Sequence, residues 1–183
     1  VSEAIAFAVK AHDGMRRKKS ESPYILHPME AAVIVGTMTD DQSIIAAAAL
    51  HDVVEDAGIT IQEIEEKFGA RVRELVASET EDKRADLPPA LTWRIRKEES
   101  LDVLKNTEDL GVLMVWLGDK LANMRAIYRD FKVEGEAMWQ RFNQKDASEQ
   151  SWYYRSIAKL TERLSNTSAW LEYKTLTELV FGK

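Results

Sequence analysis

Ile44-Ile45-Ala46-Ala47-Ala48-Ala49-Leu50-His51-Asp52-Val53-Val54-Glu55-Asp56 is the stretch that decides the fold. Its first seven residues are apolar on every face of a helix, which places that helix inside the protein. With Asp40 or Asp41 as N-cap, one helix over about 42–56 is expected. A helix buried all round needs cover on all sides, and the rest of the chain reads as helical cover. Gly 8 and Pro 4 in 183 residues are about half the ordinary share of these breakers, which favours long helices over a many-turned β architecture. Residues 2–12 place Ala4, Ile5, Ala8 and Val9 at helical spacing and stop at Asp13-Gly14. Pro28 suits the first turn of a helix reaching about residue 38. Thr60-Ile61-Gln62-Glu63 is a capping box, and its helix stops near Phe68-Gly69. Further helices are expected over about 70–78, 91–105, 108–129, 134–142, 148–164 and 167–180, with an irregular charged stretch over 79–89. No segment alternates with a convincing period of two. The expectation is a single all-α domain over 1–183, a helical bundle of eight to ten helices.

Composition narrows the function. Lys plus Arg number 25 and Asp plus Glu 31, a net charge of −6, which argues against a general nucleic-acid or membrane-surface binder. Hydrophobic residues at 45% build a real core and exclude disorder. Cys 0 removes disulfides, thiolate metal sites and cysteine nucleophiles, and fits a reducing, cytoplasmic setting. No apolar run reaches the roughly 18 residues of a spanning helix, and no signal-peptide pattern opens the chain.

His51, Asp52, Glu55 and Asp56 are out of place at the end of a core helix. Carboxylates crowded near a core repel one another, and desolvation makes each anion costly. On a continuous helix His51 and Glu55 share one face and Asp52 and Asp56 the next. A divalent cation offsets both problems, and His with carboxylates but no thiolate suits Mn, Fe or Zn. The alternative leaves Glu55 and Asp56 in solvent past the helix end, with His51 a hydrogen-bonded core residue. His27, in Tyr24-Ile25-Leu26-His27-Pro28, stands where the chain enters a helix and can aim inward. Asp119 follows the apolar run Val112-Leu113-Met114-Val115-Trp116-Leu117 and shares a helical face with Asn123; a surface pair with Lys120 is its plainer reading. Together His27, His51, Asp52 and Asp119 offer two nitrogens and two oxygens to one ion, leaving positions for water.

His…His-Asp…Asp is the metal-binding pattern of the HD superfamily of phosphohydrolases. Tyr24-Ile25-Leu26-His27-Pro28, Ala49-Leu50-His51-Asp52-Val53-Val54-Glu55-Asp56, Thr60-Ile61-Gln62-Glu63-Ile64 with Phe68-Gly69, and Asp119-Lys120-Leu121-Ala122-Asn123-Met124-Arg125 resemble the hydrolase domain of RelA/SpoT-type proteins more closely still. The likeness is strong over about 4–130 and weak over the C-terminal helices 134–180, and the chain resembles a stand-alone small alarmone hydrolase. The resemblance implies removal of the 3′-diphosphate of (p)ppGpp, giving GDP or GTP and pyrophosphate, with one Mn²⁺ held by His27, His51, Asp52 and Asp119. Glu55 and Asp56 match the catalytic acidic pair.

A substrate with two diphosphates on an acidic protein requires local cations. Arg16-Arg17-Lys18-Lys19 is the dense cluster, and the resemblance assigns nucleotide binding to Arg17 and Lys18, with Lys18-Lys19 the other register. It also assigns substrate contacts to Lys83 in Thr80-Glu81-Asp82-Lys83, to Asn123 and, as an aromatic beside the nucleotide, to Tyr153; for Tyr153 core packing is the competing reading. His12 reads as structural, and the five tryptophans read as packing residues. Two other functions stay open at this point: the same site acting on ppApp or NADPH, and a non-catalytic nucleotide-binding partner of an alarmone synthetase. The expected ligand is a small nucleotide, with no nucleic acid and no membrane; a homo-oligomer is left open.

Overall fold

The structure, a computed structural model, describes residues 1–17 and 21–182. Lys18 and Lys19 lie outside the described residues. Among those described, ten α-helices form: α1 (Ser2–Ala11), α2 (Leu26–Gly36), α3 (Gln42–Leu50), α4 (Val53–Asp56), α5 (Ile61–Phe68), α6 (Ala70–Glu79), α7 (Pro89–Asn106), α8 (Leu110–Glu134), α9 (Ala147–Leu160) and α10 (Ser168–Phe181). Two 3₁₀ segments, Gly135–Arg141 and Glu162–Leu164, join the last three. The extended pairing among the described residues is one isolated bridge, Arg16 with Pro23. The all-α expectation holds.

The apolar α3 is the hub: α1, α2, α6 and α8 pack around it, and Ala47, Ala48, Ala49 and Leu50 are fully buried. The Asp41 side chain caps it, accepting from Ser43 N at 2.8 Å and Ile44 N at 3.4 Å. The Thr60–Glu63 capping box starts α5, and Pro88 and Pro89 open α7. α8 is the spine, with α2 and α3 on one side and α10 on another. α2 and α8 meet at backbone distance. A Cβ on Gly118 would stand 2.6 Å from Val35 Cγ2 and 3.0 Å from the Ala31 carbonyl oxygen.

Three expected helices differ: the one over 148–164 ends at Leu160, with a 3₁₀ turn over Glu162–Leu164, and the other two differ for a local reason. The single helix expected over 42–56 is broken: α3 ends at Leu50, His51 and Asp52 form a turn, and α4 follows. The His51 imidazole Nδ1 lies 2.8 Å from the Ala48 carbonyl, so the side chain satisfies a terminal acceptor of α3 and ends the helix there. The helix expected over 134–142 is a 3₁₀ segment, because α8 runs on to Glu134 and stops at Gly135, whose φ of 59° favours glycine.

Candidate metal centre and substrate cavity

The break after α3 swings His51 into the core while Asp52 starts the next turn. His51 Nε2 lies 3.0 Å from Asp52 Oδ2 and 3.5 Å from Asp119 Oδ1. His27, near the start of α2, brings its Nε2 to 2.8 Å from Asp119 Oδ1 and 3.6 Å from Asp52 Oδ2. Asp119 comes from α8. The donor atoms of His27, His51 and Asp119 all fall within 4.8 Å of one another, and the three residues are buried. The structure thus brings the four residues singled out in the sequence together from two helices and a turn.

This donor set fits a divalent cation of the kind HD domains bind. A carbonyl only accepts, so the contact with Ala48 fixes the His51 proton on Nδ1 and leaves the Nε2 lone pair facing the cluster. Burial alone would push His51 down, but the Asp52 and Asp119 carboxylates hold it well above its ordinary value when protons are the available cations. Burial would likewise raise both carboxyls. His51 holds Asp52 low, and Lys120 with the two imidazoles holds Asp119 low. A buried site that keeps two anions charged is ready for a cation with more charge than a proton. Asp119 is braced as well: Asn123 Nδ2 donates to Oδ1 at 2.8 Å and Lys120 Nζ donates to Oδ2. Lys120 is tied in turn to Glu79 Oε1 at 2.9 Å.

The acidic pair stands beside the cluster, half-buried rather than in free solvent. Glu55 Oε1 accepts from the Glu81 N–H at 2.6 Å, and burial raises its carboxyl above the ordinary value. Asp56 Oδ1 accepts from Lys83 Nζ at 2.5 Å, and the same ammonium is 3.2 Å from Glu55 Oε2. The Tyr24 hydroxyl lies 2.8 Å from both Asp52 Oδ2 and Asp56 Oδ2. With one proton to donate, it links the metal cluster to the acidic pair. Burial and these two anions push the phenol up, so it stays protonated.

A cavity of about 820 Å³ opens at this point, the size of a nucleotide-scale site. His27, Tyr24, Asp56, Lys83, Asn123 and Arg17 line the end near the cluster. Arg17 Nη2 donates to Asn123 Oδ1 at 3.3 Å and sits over the Tyr24 ring, 5.9 Å from its centre. Arg129, Arg141, Phe142 and Tyr154 also line it.

Tyr153 is buried, lies edge-on to Trp93 at 6.0 Å and is not among the residues lining the cavity, which accords with its core-packing reading; its neighbour Tyr154 lines the cavity together with Phe142. On α9 the two tyrosines point to different sides, and sequence spacing alone does not fix that rotation. His12 is structural, as expected: its Nδ1 faces the Ala8 carbonyl at 3.0 Å, its ring stacks on Tyr24 at 5.2 Å, and it stands outside the cluster. Tyr24, Lys120, Glu79 and Glu81 were not singled out. Glu79 carried a signal, because it extends the apolar stripe of Val72, Leu75 and Val76 by one helical step.

Comparison with known proteins agrees with this geometry. The HD domain family matches residues 4–147. The GTP pyrophosphokinase rsh of Brucella ovis is 37% identical over 127 residues, which is 69% of this chain and 17% of that protein. The chain thus spans about a sixth of that relative's length. Among solved structures, a protein of Listeria monocytogenes EGD-e superposes with a TM-score of 0.75 at 28% identity, covering 86% of this chain and 99% of that one. A metazoan orthologue of SpoT, which hydrolyses ppGpp, superposes with a TM-score of 0.74 at 26% identity, covering 100% of this chain and 96% of that one. No described helix is long and apolar enough to cross a membrane. By family match, fold and the buried His-His-Asp cluster, this chain belongs to the HD domain family.

Proposed function

We propose that the protein is a cytoplasmic, Mn²⁺-dependent hydrolase that removes the 3′-diphosphate of (p)ppGpp. Water is consumed, the bond between phosphorus and the 3′-oxygen breaks, and GDP or GTP leaves with pyrophosphate. The observation that carries this reading is the meeting of the buried His27–His51–Asp119 cluster, with Asp52 beside it, an acidic pair and a cation-lined cavity at one place. The likeness to a metazoan orthologue that hydrolyses ppGpp supports the substrate class.

In this reading His27, His51, Asp52 and Asp119 hold the ion. Bound there, a divalent cation acidifies a water molecule and polarises a phosphoryl oxygen. Glu55, raised by burial, and Asp56 exchange the protons of the reaction, taking one from the attacking water and returning one to the 3′-oxygen. Lys83 lies between the two carboxylates, and its positive charge draws phosphate toward the acidic pair. Arg17 and Asn123 grip the nucleoside at the near end of the cavity, Arg17 by both charge and its planar face. Lys18, which the resemblance also assigns to the substrate, follows Arg17 directly in the chain.

Purified protein with Mn²⁺, offered ppGpp, pppGpp, ppApp and NADPH separately, tests the proposal by ion-exchange separation of products. Pyrophosphate released from the guanine substrates is expected. Release from none of them would reject it, and release from ppApp or NADPH alone would move the site to another nucleotide.

A further inference from the structure

Glu81 is held more tightly than a loop residue needs to be. It stands between α6 and α7 and turns its carboxylate onto α7, where three donors meet it. Arg96 Nη1 donates to Oε2 at 2.7 Å, Ser100 Oγ donates to Oε1 at 3.0 Å, and Lys97 Nζ donates to Oε1. Arg96 is itself braced by Thr92 Oγ1 at 3.2 Å. Donors and acceptor are shielded from solvent, so each bond acts at full strength. Burial alone would raise the Glu81 carboxyl, yet Lys97 above all holds it down at about 2.

None of Arg96, Lys97 and Ser100 lines the substrate cavity. They face a separate small cavity or the interior of α7 and α9. The output of the clamp is the main chain of residue 81, whose N–H meets Glu55 Oε1 at 2.6 Å. Two residues on, Lys83 reaches both members of the acidic pair.

We infer that Glu81 is a positioning residue: locked by Arg96, Lys97 and Ser100, it fixes the main-chain N–H that orients the Glu55 carboxylate. The inference rests on the proposed catalytic role of Glu55. It makes α7, a helix away from the substrate, the base on which the acidic pair is aimed. A clamp of this kind alters the reacting geometry more than it alters substrate affinity.

The test compares the Mn²⁺-loaded wild type with Glu81→Ala in three ways: crystal structures, hydrogen exchange of the residue-81 amide, and ppGpp kinetics. In the variant the Glu55 carboxylate leaves that amide and its exchange accelerates at least tenfold. The kcat falls roughly tenfold or more, while KM stays within about threefold and Mn²⁺ content is unchanged. A merely structural role would lower the melting temperature with kcat per folded molecule intact. Glu55 still seated on the residue-81 amide, or kcat within twofold of wild type, overturns the inference. Lys97→Met serves if the alanine variant fails to fold, since it keeps Glu81 and two of its donors. Its residue-81 amide is expected to exchange at least threefold faster, and unchanged exchange counts against the clamp. A wild type that releases no pyrophosphate from ppGpp counts against the substrate reading alone, because the crystal and exchange readouts need no substrate.

Discussion

The cavity has two walls of different make. On the side of α2, α4 and α8, almost every polar side chain is tied to another: His27 and His51 to Asp52 and Asp119, Asp119 to Asn123 and Lys120, and Asp56 to Tyr24 and Lys83. On the side of Gly135–Arg141, α9 and α10, an aromatic cluster stands behind the lining residues Arg141, Phe142 and Tyr154. Trp139 stacks on Phe181 at 5.4 Å and meets Phe142 at 5.4 Å, and Tyr154 stacks on Phe181 at 6.1 Å. The family match covers the first wall and ends at residue 147, before most of the second. A charged network depends on individual atoms, since a lost partner leaves a buried charge unpaired. An aromatic wall depends on volume and tolerates exchange of one ring for another. In the proposed function, chemistry belongs to the first wall, and stability and cavity shape to the second.

The largest expected effect is Asp52→Ala, which removes a cluster oxygen and the Tyr24 contact together. Bound divalent metal is lost, and turnover falls by roughly a thousandfold or more, checked by metal analysis and pyrophosphate release. Retained metal at full stoichiometry would break the assignment of that wall. Next comes Trp139→Ala, in the aromatic wall. Truncating this buried ring is expected to lower unfolding stability by about 3–5 kcal/mol in urea, with metal content and kcat per folded molecule unchanged. Loss of metal there would show that the two walls are one unit. Tyr24→Phe removes one hydroxyl shared by two carboxylates. Turnover is expected to drop about tenfold with the metal retained, corresponding to about 1.4 kcal/mol.

A pH profile sharpens the comparison further. Burial raises Glu55 above its ordinary 4.5, while Lys83 lowers it. The acid limb of kcat/KM should therefore lie above pH 4.5. Lys83→Met removes the lowering cation, so the limb moves to higher pH; a shift to lower pH would contradict the role of Glu55 as the titrating group. The smallest effect is expected from Arg125→Met. Arg125 bridges the walls through Glu172 at 2.7 Å and Glu30 at 3.2 Å, but the ion pairs are partly exposed. Stability should change by less than about 1 kcal/mol in urea unfolding, with activity intact.

The charged wall was largely legible in the sequence. His51 and Asp52 stand out because four ionisable groups end an apolar helix, and the Thr60–Glu63 box and the Asp41 cap are local patterns that the fold keeps. The break at His51 was not legible, because it depends on a side chain competing for the Ala48 carbonyl, which periodicity does not register. The expected sharing of a face by His51 and Glu55 fails for the same reason, and Glu55 turns instead toward Glu81 and Lys83. Tyr24 was read only as part of a motif. Its contacts appear once Asp52 and Asp56 fold onto its hydroxyl, and those of Glu81 once α7 folds back against the loop before it, its partners being 15 to 19 residues away. The aromatic wall was the least legible. A rotation of one residue on α9 exchanges Tyr153 for Tyr154, and only packing decides it.

The near-contact of α2 and α8 at Gly118 has a consequence for the cluster. His27 and Asp119 ride on two helices whose spacing depends on a position with no side chain, where Val35 and the Ala31 carbonyl leave no room for a Cβ. A methyl at position 118 would press the helices apart and carry the imidazole and the carboxylate with them. The geometry of the His27–Asp119 pair is thus guarded by a residue that brings no side chain of its own.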